Sequence, residues 1–132
     1  MKNLLIKNGT IIDVERGVSF VGTIEVEGNK IKRIIQNGEA LPNGSETVDA
    51  SGKYIIPGLI DMHCHINEVF APHFVASGVT TIRNTAGNVK LLKNLIEKPA
   101  DAPTPRVYAS DRMIDGTPGQ WGPTSYGNFV TD

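Results

Sequence analysis

Two histidines two positions apart, His63 and His65, are the residues whose type and spacing best suit chemistry. They lie in Pro57-Gly58-Leu59-Ile60-Asp61-Met62-His63-Cys64-His65-Ile66-Asn67, which follows the apolar, partly β-branched run Tyr54 to Ile56. Such residues read as a strand. Alternate side chains on a strand share a face, so His63, His65 and Asp61 are expected to project together, with Cys64 on the opposite side. Two neighbouring imidazoles at a strand end can hold one divalent ion or bridge a pair. Two ligands do not complete a site, and a chance pair on an exposed strand has the same spacing. Asp61, one step deeper, is placed either to orient a ligating neighbour or to make an ordinary buried hydrogen bond. Cys64 reads as a small buried thiol, and His73, off this strand, as a surface or packing histidine.

The flanking residues add a resemblance. Pro-Gly-Leu-Ile-Asp-Met-His-Cys-His resembles the signature of the amidohydrolase superfamily, in its imidazolonepropionase and prolidase-like branch. Leu5-Ile6-Lys7-Asn8-Gly9-Thr10-Ile11-Ile12-Asp13 is similar to the family's opening, and Ala50 to Gly58 to its approach to the motif. Ser77 to Asn84 is similar to its second strand, where an Asp commonly stands in place of Asn84. The resemblance implies that the motif is the first strand of a (β/α)8 barrel and that His63 and His65 are metal ligands. It also implies a divalent metal that activates water for attack on amide or cyclic amide C–N bonds. Two imidazoles suit Zn, Ni, Fe or Co, zinc first among them. The family's remaining ligands and its aspartate base fall on later strands, so no general base is assigned here.

The elements that must position these histidines change character at Pro57. Residues 1–56 read as short strands between turns, a small antiparallel β-sandwich segment with no chemistry of its own. Asn8-Gly9 and Gly28-Asn29 are hairpin signals, and Glu15-Arg16-Gly17 is another turn. Residues 57–132 read as alternating strand and helix, the first strands and helices of a TIM-type barrel, about three βα units. A short helix is expected over Pro72 to Ser77, a strand over Thr80 to Arg83 and a strand over Arg106 to Ser110. Asn88 to Lys98 reads as the clearest helix, with Val89, Leu92, Leu95 and Ile96 on one stripe. The loop from Gly116 to Gly127 carries Trp121 and Tyr126, which either touch substrate or cover apolar surface.

Length limits the reading. A complete barrel needs about 250 residues, and only 75 run from Gly58 to Asp132. The chain is expected to be the N-terminal fragment of a larger enzyme, inactive alone because its metal site is incomplete. Thirteen basic against fourteen acidic residues give no electrostatic case for nucleic acid or acidic lipid, so a small molecule is the expected partner. One cysteine and no apolar leader or membrane span point to the cytoplasm. Open strand edges and an uncovered sheet face predict a homo-oligomer or strand exchange. A non-catalytic oligomeric or binding domain is the competing reading.

Overall fold

The computed structural model describes residues 3–36, 38–99, 101–117 and 120, and the backbone of 127–130. The chain forms two units, Met1–Pro57 and Gly58–Asp132, each considered by itself.

In the first unit, β1 (Leu4–Asp13), β2 (Val18–Glu27) and β3 (Lys30–Gln36) form an antiparallel meander. Two tight turns make this possible. Asp13 Oδ1 accepts the amide protons of Glu15 and Arg16 while Gly17 takes a positive φ of 67°, and Gly28, at φ 62°, turns β2 into β3. The other edge of β1 departs from the antiparallel expectation. β4 (Glu46–Asp49) and β5 (Tyr54–Ile55) both run parallel to β1, on its first and second halves.

Asn8-Gly9 is not a hairpin. β1 runs straight through it with one extra residue between Ile6 and Gly9, a bulge in which Asn8 alone is left-handed, at φ 62°. Two long-range contacts account for this. Asn8 Nδ2 donates to Asp49 Oδ1 at 3.0 Å, and the Ile55 side chain comes so close to Gly9 that any Cβ there would collide with it. Because an extra residue reverses side-chain parity, Leu5 and Ile11 are buried on opposite faces of the sheet.

Glu25 is only 1% exposed. Arg33, its cross-strand partner, donates from Nε to Glu25 Oε2 at 2.7 Å, and Asn3 Nδ2 donates to Oε1 at 3.2 Å. The Arg33 hydrogen bond holds this carboxyl below its ordinary value of 4.5, against desolvation and with further help from Lys32. A depressed folded pKa stabilises the fold above the unfolded value, and that contribution fades as pH falls through the folded value. Urea unfolding of the protein is therefore expected to show stability falling below about pH 4.5. Glu25→Gln, which cannot ionise, should be less stable at neutral pH and flatter in that acid range; an unchanged acid slope would refute the assignment.

The second unit is built on a parallel sheet in the order β6 (Leu59–Cys64), β7 (Val79–Asn84), β8 (Arg106–Ala109). α1 (Ala71–Ala76) connects β6 to β7, with Pro72 in its first turn and Gly78, at φ 84°, just beyond its end. α2 (Lys93–Ile96) connects β7 to β8. Ile66, Ala71, Ile82, Leu92, Leu95 and Val107 form the core. The expected helix over Asn88 to Lys98 is cut to four residues. Ahead of it, Asn88 Oδ1 accepts the Lys90 amide proton and Asp111 Oδ1 that of Val89, while Leu91 and Leu92 close three-residue turns onto Asn88 and Val89. These side chains cap N–H groups that a helix starting here would leave unpaired in any case. The shortening lies in the turns that follow, which close three residues back and not four. The expected stripe is half realised: Leu92 and Leu95 are buried, but Ile96 is 42% exposed.

Beyond β8, β9 (Met113–Gly116) pairs in parallel with β10 (Gly127–Val130), a strand the sequence pattern did not predict. Trp121 and Tyr126 lie outside the described residues. Among those described, no helix is long and apolar enough to cross a membrane.

Candidate functional site

β6 carries His63 as its second-to-last residue, and His65 follows it directly. Their rings stand edge to face, with centroids 6.2 Å apart and planes at 87°. Both side chains are exposed and line a cleft of about 1010 Å³ at the carboxyl end of the parallel sheet. The opposite wall comes from the β7 exit segment, residues 84–88, and from Leu91 and Leu92.

Cys64 turns away, against the core, where its Sγ lies 3.8 Å from the Arg83 carbonyl oxygen. Burial, and secondarily the Asp61 carboxylate, push its thiol pKa up, which opposes thiolate ligation of a metal. Asp61, expected on the histidines' face by strand alternation, is not among the residues that line their cleft. The β6–β7 register slips between Asp61 and Cys64, three positions on β6 spanning two on β7. The Asp61 carboxylate instead accepts the His63 backbone amide proton at 3.0 Å, so it orders the main chain under that histidine. His73 lies on α1, exposed, beside a smaller depression shared with His65, Phe70 and Phe74. Among the described residues, no three His, Cys, Asp or Glu side chains gather closely enough to hold a metal.

Two features of the β7 exit have no role assigned from the sequence. Asn84 is 3% exposed, and its Oδ1 accepts the buried Ile66 amide proton at 2.8 Å, which fixes the chain just after His65. Its amide nitrogen lies so near Gly87 that a Cβ there would sit 2.5 Å away. Ala86 has a positive φ of 56°, held by donation of its amide proton to Ser110 Oγ. Strained backbone of this kind persists only when its surroundings enforce it. A polar Asn-Thr-Ala-Gly run at the carboxyl end of a parallel strand was the available signal, since such ends carry the sites of barrel folds.

No family model matches the chain. It is 48% identical over 66 residues to a dihydroorotase of Trichlorobacter lovleyi, a match that covers 50% of this chain and 15% of that protein. Over 131 residues it is 30% identical to an adenine deaminase of Listeria welshimeri, covering 89% of this chain and 22% of that protein. Among solved structures, a prolidase crystallised with N-methylphosphonate-L-proline superposes with a TM-score of 0.72 at 22% identity, over 89% of this chain and 34% of the other. The chain thus spans well under half the length of the relatives it matches. A chain that shares close to half its residues with a dihydroorotase across 66 positions, aligns with an adenine deaminase over most of its length and folds like a prolidase belongs to the amidohydrolase superfamily.

Proposed function

We propose that the protein is a metal-dependent hydrolase of amide or cyclic amide C–N bonds, with His63 and His65 as two of its metal ligands. The observation that carries this reading is the pair of imidazoles side by side on one wall of a large cleft. The donor set fits zinc, whose bonds to imidazole nitrogen are about 2.0–2.1 Å. When bound, such an ion lowers the pKa of water and polarises a carbonyl. This chain's own residues hold the arrangement still. Asp61 fixes the main chain at His63, Asn84 fixes it just after His65, and Cys64 is kept on the core side. A four-coordinate site needs further ligands, which in this reading come from parts of the protein beyond these strands.

The three parallel strands are, on the same reading, the opening of a (β/α)8 barrel, and the five-stranded sheet is one part of a β-sandwich. The exposed Leu59, Ile60 and Met62 of β6 and Tyr108 of β8 support this, since parallel sheets normally bury both faces. The same exposed residues favour a second reading, self-association of the chain as a non-catalytic domain.

The test is turnover of amide, cyclic amide and amidine substrates by the protein as its gene encodes it, with zinc, after chelation and after zinc is restored. Zinc-dependent release of amine or ammonia, or opening of the cyclic amide to a carboxylate that keeps the nitrogen, is expected. A protein that is fully loaded with zinc and inert towards the whole set would sink the hydrolase reading. A stable metal-free oligomer of the chain would favour the second.

A further inference from the structure

We propose that Asn8-Gly9 is a latent deamidation site that Asp49 holds closed, and that its reaction would unlatch β4 from β1 irreversibly. An asparagine followed by glycine can react with its own main chain. The Gly9 nitrogen adds to Asn8 Cγ, the Cγ–Nδ2 bond breaks, and Nδ2 leaves as ammonia with the proton that the Gly9 nitrogen gives up. Water then opens the cyclic imide at either carbonyl, leaving aspartate or its iso form. Glycine favours the first step because it brings no side chain to obstruct the approach.

At Gly9 that freedom is withdrawn. Ile55 and Ala50 crowd the place that a side chain on Gly9 would take. The exposed Asn8 amide is tied to Asp49 Oδ1 at 3.0 Å. The main chain is pinned on both sides of the dipeptide: the Lys7 carbonyl oxygen accepts the Ala50 amide proton at 2.8 Å, and Thr10 donates to the Lys53 carbonyl at 2.9 Å. Asp49 also sets a negative charge beside a nitrogen that must shed a proton, which disfavours the attack. Its carboxyl is held below the ordinary value of 3.8, by the Ser51 hydroxyl first and the Asn8 amide next, with Lys7 adding least. Asn43-Gly44 provides the contrast. Both residues are exposed in a turn, Gly44 has a φ of 77°, and among the described residues nothing lies within 4 Å of the place its side chain would take.

The product explains why the closure matters. A carboxylate formed at position 8 stands where the amide donated to Asp49. Two carboxylates so close resist joint ionisation, so the edge that opened for the reaction is penalised for closing again at neutral pH.

The protein as its gene encodes it is held in mildly alkaline buffer, and peptide mass spectrometry follows conversion at each asparagine. Asn43 is expected to convert at least about tenfold faster than Asn8, a factor within what one hydrogen bond to a charged group supplies. Asp49→Ala should quicken Asn8 by about tenfold and leave Asn43 unchanged. Asp49→Asn, which keeps an acceptor for Asn8 and Ser51 without the charge, should quicken it less. Circular dichroism and urea midpoints confirm that each variant is folded. Asn8 reacting as fast as Asn43, or an Asn8 rate that Asp49→Ala leaves untouched, overturns the protection. Asn8→Asp tests the latch, since aspartate also tolerates left-handed backbone. Its loss of stability relative to the parent should grow from about pH 4 to about pH 7, because a carboxyl whose pKa is raised in the folded state stabilises only below that value. Exchange of the Ala50 amide proton, just after β4, should quicken with it. An Asn8→Asp protein as stable as the parent at neutral pH overturns the unlatching.

Discussion

His63→Asn and His65→Asn are each expected to lower zinc affinity by more than about 100-fold and turnover by at least about 1,000-fold. Asparagine keeps much of the imidazole's polarity but gives a metal only a weak amide donor, so a loss reports on ligation. The first figure takes the 10–100-fold cost of losing an outer-shell partner as a floor, because a direct ligand contributes more. Both side chains are exposed and outside the core, so the thermal midpoint should hardly move. Residues that act as one unit are not additive, and the double variant should cost little more than either single one. Bound metal measured by plasma mass spectrometry, alongside turnover, provides the check. Full zinc occupancy in either variant would remove that histidine from the proposed ligand set.

Asn84→Ala is expected to destabilise the second unit by about 1–3 kcal/mol, the cost of leaving a buried hydrogen-bonding group unpaired. The group at stake is the Ile66 amide, which donates to Asn84 Oδ1 at 2.8 Å in a site where both residues are buried. Its loss also frees the chain beside His65, so metal affinity should weaken although Asn84 itself is not proposed as a ligand. Asn84→Asp keeps an oxygen at the accepting position and is expected to retain most of the stability. Urea midpoints measure the first effect, and hydrogen exchange at the Ile66 amide measures its origin. If that amide exchanges no faster in Asn84→Ala than in the parent, the bond does not hold the loop.

The lengths of influence involved explain which features could be read from residues alone. Strand alternation sent His63 and His65 to one side and Cys64 to the other. Turn chemistry located the reversals at Gly17 and Gly28, and a proline and a glycine bracketed α1. All of these depend on neighbours within a few positions. Tertiary contacts decided the rest. Asn8-Gly9 has the makings of a hairpin, yet Asp49 and Ile55, more than forty residues away, make it a bulge in a continuous strand. The helix over Asn88 to Lys98 has the right apolar stripe, but the chain ahead of Lys93 closes three-residue turns in place of α-helical ones. Asp61 has the histidines' parity, yet the β6–β7 register slips between it and Cys64, and its carboxylate accepts the His63 backbone amide proton without lining the cleft. The cleft itself required the β6 and β7 exits to meet, which the Asn84–Ile66 hydrogen bond accomplishes across eighteen residues of sequence. Sequence therefore determined which side chains are available for chemistry and which way the strand points them. Only the packing of distant segments determined what stands opposite them, because those contacts depend on residues that no local pattern links.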